Sequence, residues 1–452
     1  MNTSNNELLE RMAELIDQGN VEALEAFLSD LHPSDIADVV ESVDEDNRLA
    51  LVRALPADIA SESLAEMEDG ETRAELLAAL GPTEGAELLH KLPDDDATDL
   101  IGELEPIYQD RILAELPDDE AGEIRDLLQY DEDTAGGIMT TALVSVLDTV
   151  TAGEAIDVVR IQGREAENFY TVFVVDDKFK LLGTVLLDDL ILADTKEPVE
   201  NLVEPIVASV TPEADQEEVG HLISRYNMVA IPVISGDGVL LGRVTFDDII
   251  DVFEAETTED LLLFSGVSDD EELRGSSKDA VRTRLPWLLL NTLTASFAAA
   301  VVWIFRDQIA SATLLVVVMP VVAGLGGNAG QQALAVTVRR LAISGGGPLE
   351  GRGHIVGKEL LVALLNGLVI GAVVALATFI LADVVGANTL IGLVVLLAMW
   401  GNIAMAGFAG SFIPTLLDRR GQDPAVASTV FLTALTDMTG FLLLLGLATV
   451  IL

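Results

Sequence analysis

The sequence predicts a multidomain membrane protein: an α-helical, superhelical N-terminal domain, a tandem pair of α/β domains, and an all-α transmembrane domain of five helices. Three observations carry this prediction. The first 130 residues or so repeat a short helix-starting turn, the middle of the chain repeats a unit of 59 residues, and the last third holds five long apolar stretches. The charge divides at the same place: residues 284–452 have a net charge of +1, while residues 1–283 hold 17 basic and 68 acidic residues, a net charge of −51.

The composition excludes several classes of protein. A surface this acidic repels nucleic acid and attracts divalent cations, so we expect no nucleic-acid partner. The chain has no cysteine, which excludes disulfides, thiolate metal sites and cysteine nucleophiles, and its four histidines are scattered. No nucleophile stands beside a base, so we do not expect an enzyme. The polar N-terminus has no apolar signal segment, which leaves the acidic part in the cytoplasm. Adaptation to high salt stays open as a second origin of the charge.

Residues 1–135 are predicted to form an acidic helical-repeat domain. Apolar anchors followed by proline or acidic residues recur about every twelve residues, at positions 31, 43, 55, 67, 80, 92, 104 and 116. Proline and acidic residues in a first turn favour the start of a helix, and units this short bury a face only by stacking. Asp95 and Asp99 lie on one face of a predicted helix, where like charges repel unless something neutralises them.

Residues 136–200 and 201–260 are predicted to be two copies of one α/β domain. The stretch FVVDDKFKLLGTVLLDDLIL, from Phe173, aligns with PVISGDGVLLGRVTFDDIID, from Pro232. Each copy predicts a strand, a glycine turn, a second strand and a helix, and each follows an amphipathic helix. This repeat resembles a tandem pair of CBS domains, which are regulatory modules.

The resemblance to CBS domains implies a nucleotide-binding motif in the second copy. The pattern Gly-x-Val-Thr-x-x-Asp, which is associated with adenosine binding in such modules, is present with Gly242, Thr245 and Asp248. The first copy has Leu186 in place of the threonine. ATP or another adenine nucleotide is therefore a candidate cofactor. The alternative, that Asp248 only caps a helix, stays open.

An acidic stripe runs from the second copy toward a connecting segment, residues 261–284, which leads to the membrane. Carboxylates recur in this stripe at spacings of three to five residues and end in one adjacent pair, which places them along a helix: Asp248, Asp251, Glu256, Glu259 and Asp260. Such a concentration of negative charge attracts divalent cations.

The transmembrane domain, residues 285–452, contains five stretches long enough to span a bilayer. They are residues 285–305, 312–338, 360–382, 390–417 and 425–452. Basic residues flank alternate ends of these stretches, at positions 282 and 284, 339 and 340, and 419 and 420. Because basic residues stay on the cytoplasmic side, we expect a multi-pass membrane protein with a cytoplasmic N-terminus and an extracytoplasmic C-terminus.

Two of the apolar stretches carry polar features. Asp437 lies near the midpoint of the last one, where a carboxylate costs about 2.5–3.5 kcal/mol, so it indicates a water-filled path for a cation. A buried aspartate satisfied by neighbouring threonine hydroxyls is the alternative. In the second stretch, Pro320 and a glycine cluster around Gly326 are expected to weaken the helix beside a wet cavity. Close helix packing at the glycines is the alternative there.

Four motifs in the membrane part resemble those of the MgtE magnesium channel family: Met319-Pro320, GGNAGQQ from Gly326, Asp423-Pro424 and LTDMTG from Leu435. The order of the domains also resembles that family. The resemblance implies a homodimeric Mg²⁺ channel in the lipid bilayer of the cell (inner) membrane, with its pore on the two-fold axis, closed by cytosolic Mg²⁺ through a connecting plug helix. The pore residues are then expected to be Asp437, Asn328 and Gly327.

The same resemblance implies regulatory metal ligands on the cytoplasmic side. They are Asp95, Asp99, Asp215, Glu217, Asp248, Asp251, Glu256, Glu259, Asp260 and Asp423. Asn227 stands where an acidic residue is expected, so one of these metal sites is expected to be weaker or absent.

Other functions stay open. A secondary transporter that couples divalent cations to H⁺ or Na⁺ would also use Asp437, whereas a membrane-anchored sensor would need neither this aspartate nor five spans. Mg²⁺ keeps several waters and takes one or two carboxylates, and no histidine or cysteine near Asp437 favours softer metals. The sequence leaves open the choice among Mg²⁺, Co²⁺, Mn²⁺ and Ni²⁺, and whether ATP modulates the gate.

Overall fold

The computed structural model describes residues 27–28, 31–164, 166, 169–265, 267, 277–344, 352–420, 422, 424 and 428–452. The chain divides into two compact units, Met1–Glu254 and Ala255–Leu452. We describe each unit by itself.

The N-terminal part of the first unit is a stack of short helices. They are α1 (Pro33–Ser42), α2 (Glu45–Ala54), α3 (Ala57–Ala65), α4 (Gly70–Leu80), α5 (Pro82–Leu89), α6 (Asp94–Gly102), α7 (Pro106–Leu113) and α8 (Asp118–Leu127). Every helix begins within three residues of one of the predicted anchors, and proline occupies the first turn of α1, α5 and α7. Anchors such as Met67 and Leu104 are buried in one continuous core. The predicted helical array is confirmed.

The rest of the first unit consists of the two α/β copies. The first copy comprises β1 (Ser145–Leu147), α9 (Ala152–Gln162), β2 (Thr171–Val175), β3 (Leu181–Leu186) and α10 (Leu187–Leu192). The second comprises α11 (Gln216–Tyr226), β4 (Ala230–Ile234), β5 (Leu240–Thr245) and α12 (Phe246–Ser265). The strand–turn–strand–helix order predicted for each copy is therefore present.

The sheets follow the repeat. Strand β1 pairs parallel with β2, and β2 pairs antiparallel with β3, while β4 and β5 form an antiparallel pair. The segment before the first copy is held by the second one, since Thr140 bridges Arg243 of β5 and the amide of Ala135 donates to the carbonyl oxygen of Ala214. Residues 134–140 thus link the helical array to the second copy.

The second unit contains five helices that are long and apolar enough to cross a membrane. The helices after α12 are α13 (Ser277–Ile304), the short α14 (Arg306–Ser311), α15 (Leu314–Ser344), α16 (Arg352–Val385), α17 (Ile391–Asp418) and α18 (Ser428–Ile451). Helix α17 packs against α15, α16 and α18. More than half of its apolar stretch is buried (56%), against at most 28% in the other four, so α17 is the central helix of the described bundle.

Helix α15 corrects one expectation. It runs without interruption through Pro320 and the glycine cluster, so the predicted weakening of this helix is wrong. Two glycines instead permit close packing: a Cβ on Gly326 would collide with the amide of Asn402, and one on Gly330 would lie 3.1 Å from Leu432. The missing Cβ of each glycine therefore makes room for a side chain of a neighbouring helix, as small residues commonly do in close packing within membranes.

Candidate functional site

Asp437 is the one ionisable residue in the sequence of α18. It is half-buried and lies in the third turn of that helix. The hydroxyl of Thr436 donates to the carbonyl oxygen of Thr433 at 3.0 Å, within the same helix. That hydroxyl is therefore not directed to the aspartate. Within the described part of the chain the structure gives Asp437 no charged partner, which leaves its carboxylate available to a cation.

The other two predicted pore residues lie on α15. Asn328 is exposed on this unit and Gly327 is partly exposed, and neither position is covered by the packing that buries Gly326. Gly330, one turn further on, contacts Leu432 of α18. The structure thus places α15 against α18 in this region, but it brings no described side chain of α15 into a hydrogen bond with Asp437.

A buried carboxamide that sequence reasoning missed joins the same helices. Asn402 of α17 is fully buried, and its Nδ2 donates to the carbonyl oxygen of Val322 in α15 at 3.0 Å. Its Oδ1 is buried and accepts no hydrogen bond from the residues that the structure describes. The amide also lies against Gly326 and against Gly440, which is one turn after Asp437. The available signal was a lone asparagine amid the apolar residues of α17.

On the soluble side, the first turn of α6 contacts the segment that leads into the second copy. The carboxylate of Asp94 accepts hydrogen bonds from both threonine hydroxyls at positions 140 and 141 and, at 2.8 Å, from the backbone N–H of Thr141. Thr140 is itself paired with the backbone of Arg243 on β5, at 2.9 and 3.0 Å. Asp94, another residue that the sequence did not single out, therefore ties the helical array to the second copy.

Asp95 faces a second carboxylate across this contact. Its Oδ1 is buried and accepts no hydrogen bond from any residue within the described ranges. Burial raises the pKa of Asp95 well above its ordinary value, and the neighbouring Asp96, Asp248 and Asp94 raise it further. Burial also raises the pKa of Asp248, although Thr245 donates to its Oδ2 from the hydroxyl at 2.6 Å and from the backbone N–H at 3.2 Å. Two predicted metal ligands are thus brought together.

Asp99 lies one turn along α6 from Asp95. The residue as a whole is exposed, although the surrounding protein removes solvent from its carboxyl group. Loss of solvent raises the pKa of Asp99 to about 6; Arg73 opposes this rise, while Glu103 and Asp248 add to it. Arg73 also donates to Glu103 from its Nε at 2.9 Å. Below about pH 6 a protonated Asp99 would be a poor ligand for any cation, because metal ligands must be deprotonated.

A cation is buried beside these carboxylates. Arg243 on β5 is 3% exposed, and burial lowers the pKa of its guanidinium, while Asp95, Asp247, Asp248 and Asp94 oppose that change. Arg243 was not among the residues predicted from the sequence. The signal was its position within an apolar strand, at the place where the first copy has Thr184.

The remaining predicted regulatory residues are more dispersed. Asp251 is exposed as a residue, and partial loss of solvent around its carboxyl group, together with the nearby Glu66, raises its pKa. Asp215 accepts a hydrogen bond from the backbone N–H of Glu217 at 2.9 Å and begins α11, so helix capping accounts for it. The acidic residues Glu256, Glu259 and Asp260 lie in the part of α12 that belongs to the second unit, and Asp423 lies outside the described residues.

No preformed metal cage is present in the described part of the chain, since no three acidic or histidine side chains converge closely enough there to hold an ion. What converges is a pair of carboxylates, Asp95 and Asp248, one of which has a buried oxygen without a hydrogen bond. Such a pair suits Mg²⁺, which keeps several waters and takes one or two carboxylates.

Asn227 has a conformational reason to be where an acidic residue was expected. It ends α11 in the left-handed region, with φ 51° and ψ 45°. Asparagine tolerates this conformation better than most other residues.

The predicted nucleotide motif is covered by the chain itself. A Cβ on Gly242 would lie 2.8 Å from both the sulfur of Met139 and the carbonyl oxygen of Thr140, while Thr245 is hydrogen-bonded to Asp248. A cavity of about 750 Å³ lies elsewhere in the first unit. Its lining includes Tyr170, Asn227, Phe246, Asp247, Ile250 and Phe253. The assignment of a nucleotide to Gly242, Thr245 and Asp248 stays a prediction that this packing does not favour.

Comparisons with known proteins cover almost the whole chain. Residues 31–133 match the MgtE intracellular N domain, residues 135–196 and 199–255 match the CBS domain, and residues 319–447 match the MgtE divalent cation transporter domain. The magnesium transporter MgtE of Enterococcus faecalis is 37% identical over 94% of this chain and 92% of its own length. That of Thermus thermophilus is 32% identical over 98% of each chain.

Two crystal structures resemble the soluble part. The soluble part of a magnesium transporter is 34% identical with a TM-score of 0.50, and the match covers 56% of this chain and 99% of that one. The cytosolic domain of the Mg²⁺ channel MgtE in complex with ATP is 33% identical with a TM-score of 0.52, covering 54% of this chain and 99% of that one.

Proposed function

The chain belongs to the MgtE family of magnesium transporters, which are not enzymes, and from this premise we propose that it conducts Mg²⁺ as a channel that cytosolic Mg²⁺ closes. The observation that carries the proposal is Asp437, half-buried in a membrane-spanning helix without a charged partner among the described residues. An ionisable residue at this depth marks an ion path more often than a structural contact.

A site built from Asp437 suits conduction of Mg²⁺ better than tight binding of the ion. In a homodimer with its pore on the two-fold axis, two Asp437 carboxylates would hold a hydrated Mg²⁺ through its water shell. Conduction needs binding that is weak enough to release the ion. One carboxylate from each subunit meets this need, and Gly327 and Asn328 on the accessible face of α15 are candidates for the adjoining wall.

The orientation follows from the basic residues. Arg339 and Arg340 lie in the last turns of α15, and Arg419 and Arg420 follow α17. Basic residues remain on the cytoplasmic side of a membrane. We therefore place the C-terminal ends of α15 and α17, the helical-repeat domain and the CBS pair in the cytoplasm, and Leu452 outside.

For closure of the channel, the supporting observation is that the carboxylates of Asp95 and Asp248 lie near each other. Without a metal ion, the two like charges oppose the contact between α6 and the second CBS domain; a divalent cation bridging them stabilises it. At free Mg²⁺ about ten times a site's dissociation constant, each site adds about 1.4 kcal/mol to the compact form. Since moving a gate from 1:99 to 99:1 takes about 5.5 kcal/mol, about four such weak sites are enough.

The test of channel function is electrical. We expect purified protein in planar bilayers to show unitary Mg²⁺ currents whose reversal potential follows the Mg²⁺ gradient and ignores imposed H⁺ and Na⁺ gradients. Those currents should fall as Mg²⁺ rises on the cytoplasmic side. Flux that requires an H⁺ or Na⁺ gradient and shows no unitary current would establish a coupled transporter instead.

We also propose that an adenine nucleotide binds in the 750 Å³ cavity of the CBS pair. The volume is typical of ligand sites, the lining offers the aromatic rings of Tyr170 and Phe246, and a 33% identical relative was crystallised with ATP. Because Asp247 lies on the cavity, we expect the phosphates to enter with Mg²⁺.

Substitution of the aromatic lining tests the nucleotide site. Tyr170→Ala should weaken ATP binding about tenfold, since stacking of a base on an aromatic ring is worth about 1–3 kcal/mol. Isothermal titration with ATP and Mg²⁺ measures this. Tyr226→Ala, on the exposed surface of α11 but outside the lining, is the matched control. If Thr245→Val lost ATP binding and Tyr170→Ala kept it, the nucleotide site would be the predicted motif rather than the cavity.

A further inference from the structure

A cation, Arg243 of β5, is buried where α6 contacts the segment 140–141 that pairs with β5. Four carboxylates act on the guanidinium of Arg243: Asp95, Asp247, Asp248 and Asp94. Arginine is rarely buried unless it is paired, and this one is 3% exposed. Its charge therefore stands in the same cluster that divalent cations are proposed to neutralise.

The backbone fixes the position of this charge. The N–H of Arg243 donates to the carbonyl oxygen of Thr140 at 3.0 Å, and its carbonyl oxygen accepts from the N–H of Thr140 at 2.9 Å. The side chain of Thr140 in turn donates to Asp94 of α6. Arg243 is therefore linked through a single residue, Thr140, to the hydrogen bonds that hold α6 in place.

We propose that Arg243 is a built-in counter-cation, which takes the place of one divalent ion in attaching the N-terminal helical domain to the second CBS domain. This inference rests on the proposed closure by cytosolic Mg²⁺ and deepens it. Part of the attraction between the two acidic surfaces then exists at any Mg²⁺ concentration, and the metal ion supplies only the rest.

The sign of the effect follows from Coulomb's law. Removal of the positive charge leaves buried carboxylates opposing one another, so the attached state loses stability when no metal is present. The same removal takes away a charge that repels Mg²⁺, so the attached state binds Mg²⁺ more tightly. A variant without this charge should therefore depend more on Mg²⁺ for attachment than the wild type does.

The amide of Thr141 reports attachment directly. Its N–H donates to Asp94 of α6, so it exchanges with solvent deuterium only when α6 leaves. The amide of Thr140 donates to Arg243 within the second domain and serves as an internal reference for local folding. Both can be followed at residue resolution by mass spectrometry of the full-length protein in nanodiscs, with EDTA or with saturating Mg²⁺.

In EDTA, Arg243→Met should lower the protection of Thr141 by at least about tenfold while Thr140 keeps its protection, because breaking a buried pair typically costs more than the equivalent of this factor. Arg243→Lys should keep most of the protection. The double variant Arg243→Met/Asp95→Asn should regain it, because one of the opposing charges is also gone. Saturating Mg²⁺ should restore Arg243→Met to the wild-type level.

Equal Thr141 protection in wild type and Arg243→Met in EDTA would overturn the counter-cation. If Arg243→Met also loses protection at Thr140, the double variant decides: failure to recover Thr141 would mean that Arg243 only fills space, which also overturns the proposal. If Mg²⁺ does not change the Thr141 protection of the wild type while Arg243→Met still loses that protection in EDTA, closure by Mg²⁺ is refuted and the counter-cation role of Arg243 is supported.

Discussion

Asp437→Ala is expected to reduce Mg²⁺ currents by about a hundredfold or more while the cytoplasmic domains stay folded. A hydrogen bond between a charged group and a water of the ion's shell contributes about 1.5–3 kcal/mol, and a homodimer would lose two of them. About 2.7 kcal/mol already corresponds to a hundredfold change in rate. Single-channel recording in planar bilayers measures the current, and protease resistance of the soluble domains confirms their fold.

Two further variants sharpen this test. Asp437→Asn keeps a polar contact to water but loses the charge, so it should retain part of the Mg²⁺ current and discriminate less against monovalent ions. Asp383→Ala removes an exposed carboxylate near the end of α16 and should leave the current unchanged. Wild-type currents in Asp437→Ala would refute the assignment of this aspartate to the pore.

Removing residues 1–130 should leave a conducting protein whose closure needs at least about tenfold more cytosolic Mg²⁺. The deletion takes away Asp95 and Asp99, which provide one side of the carboxylate pairing with Asp248. With Asp95 and Asp99 in separate sites, two of about four sites are lost, and each remaining site must contribute about 1.4 kcal/mol more, which takes about tenfold more Mg²⁺. The readout is the open probability as a function of Mg²⁺ on the cytoplasmic side.

Substitutions in the full-length chain test the same carboxylates more mildly than the deletion and allow a matched control. Asp95→Asn/Asp99→Asn should shift the closing curve in the same direction, whereas Glu105→Gln/Asp110→Asn removes two exposed carboxylates of the same domain and should not. Single changes such as Asp251→Ala should shift the midpoint modestly. An unchanged curve after the deletion would mean that the acidic array only confers solubility, and one substitution that removed all Mg²⁺ sensitivity would indicate a single dominant site.

The secondary-structure elements and their order can be predicted from the sequence. Helix starts in the N-terminal domain follow from proline and acidic residues after apolar anchors, the two CBS copies from a repeat of 59 residues, and the spans from the length of apolar stretches. Asp437 is likewise a candidate pore residue that the sequence alone predicts. These features depend on neighbouring residues or on the lipid environment, so periodicity and composition are enough to find them.

Tertiary structure decided which of the many carboxylates meet. Nothing local distinguishes Asp94, which binds residues 46 and 47 positions away, from Asp96 beside it. The continuity of α15 likewise depends on the helices packed around its glycines, and the burial of Asn402 depends on three helices crossing at one point. The position of Arg243 among the acidic residues follows from the pairing of β5 with Thr140. Burial and long-range charge arise only when distant segments pack together, and a pattern read along the chain does not contain them.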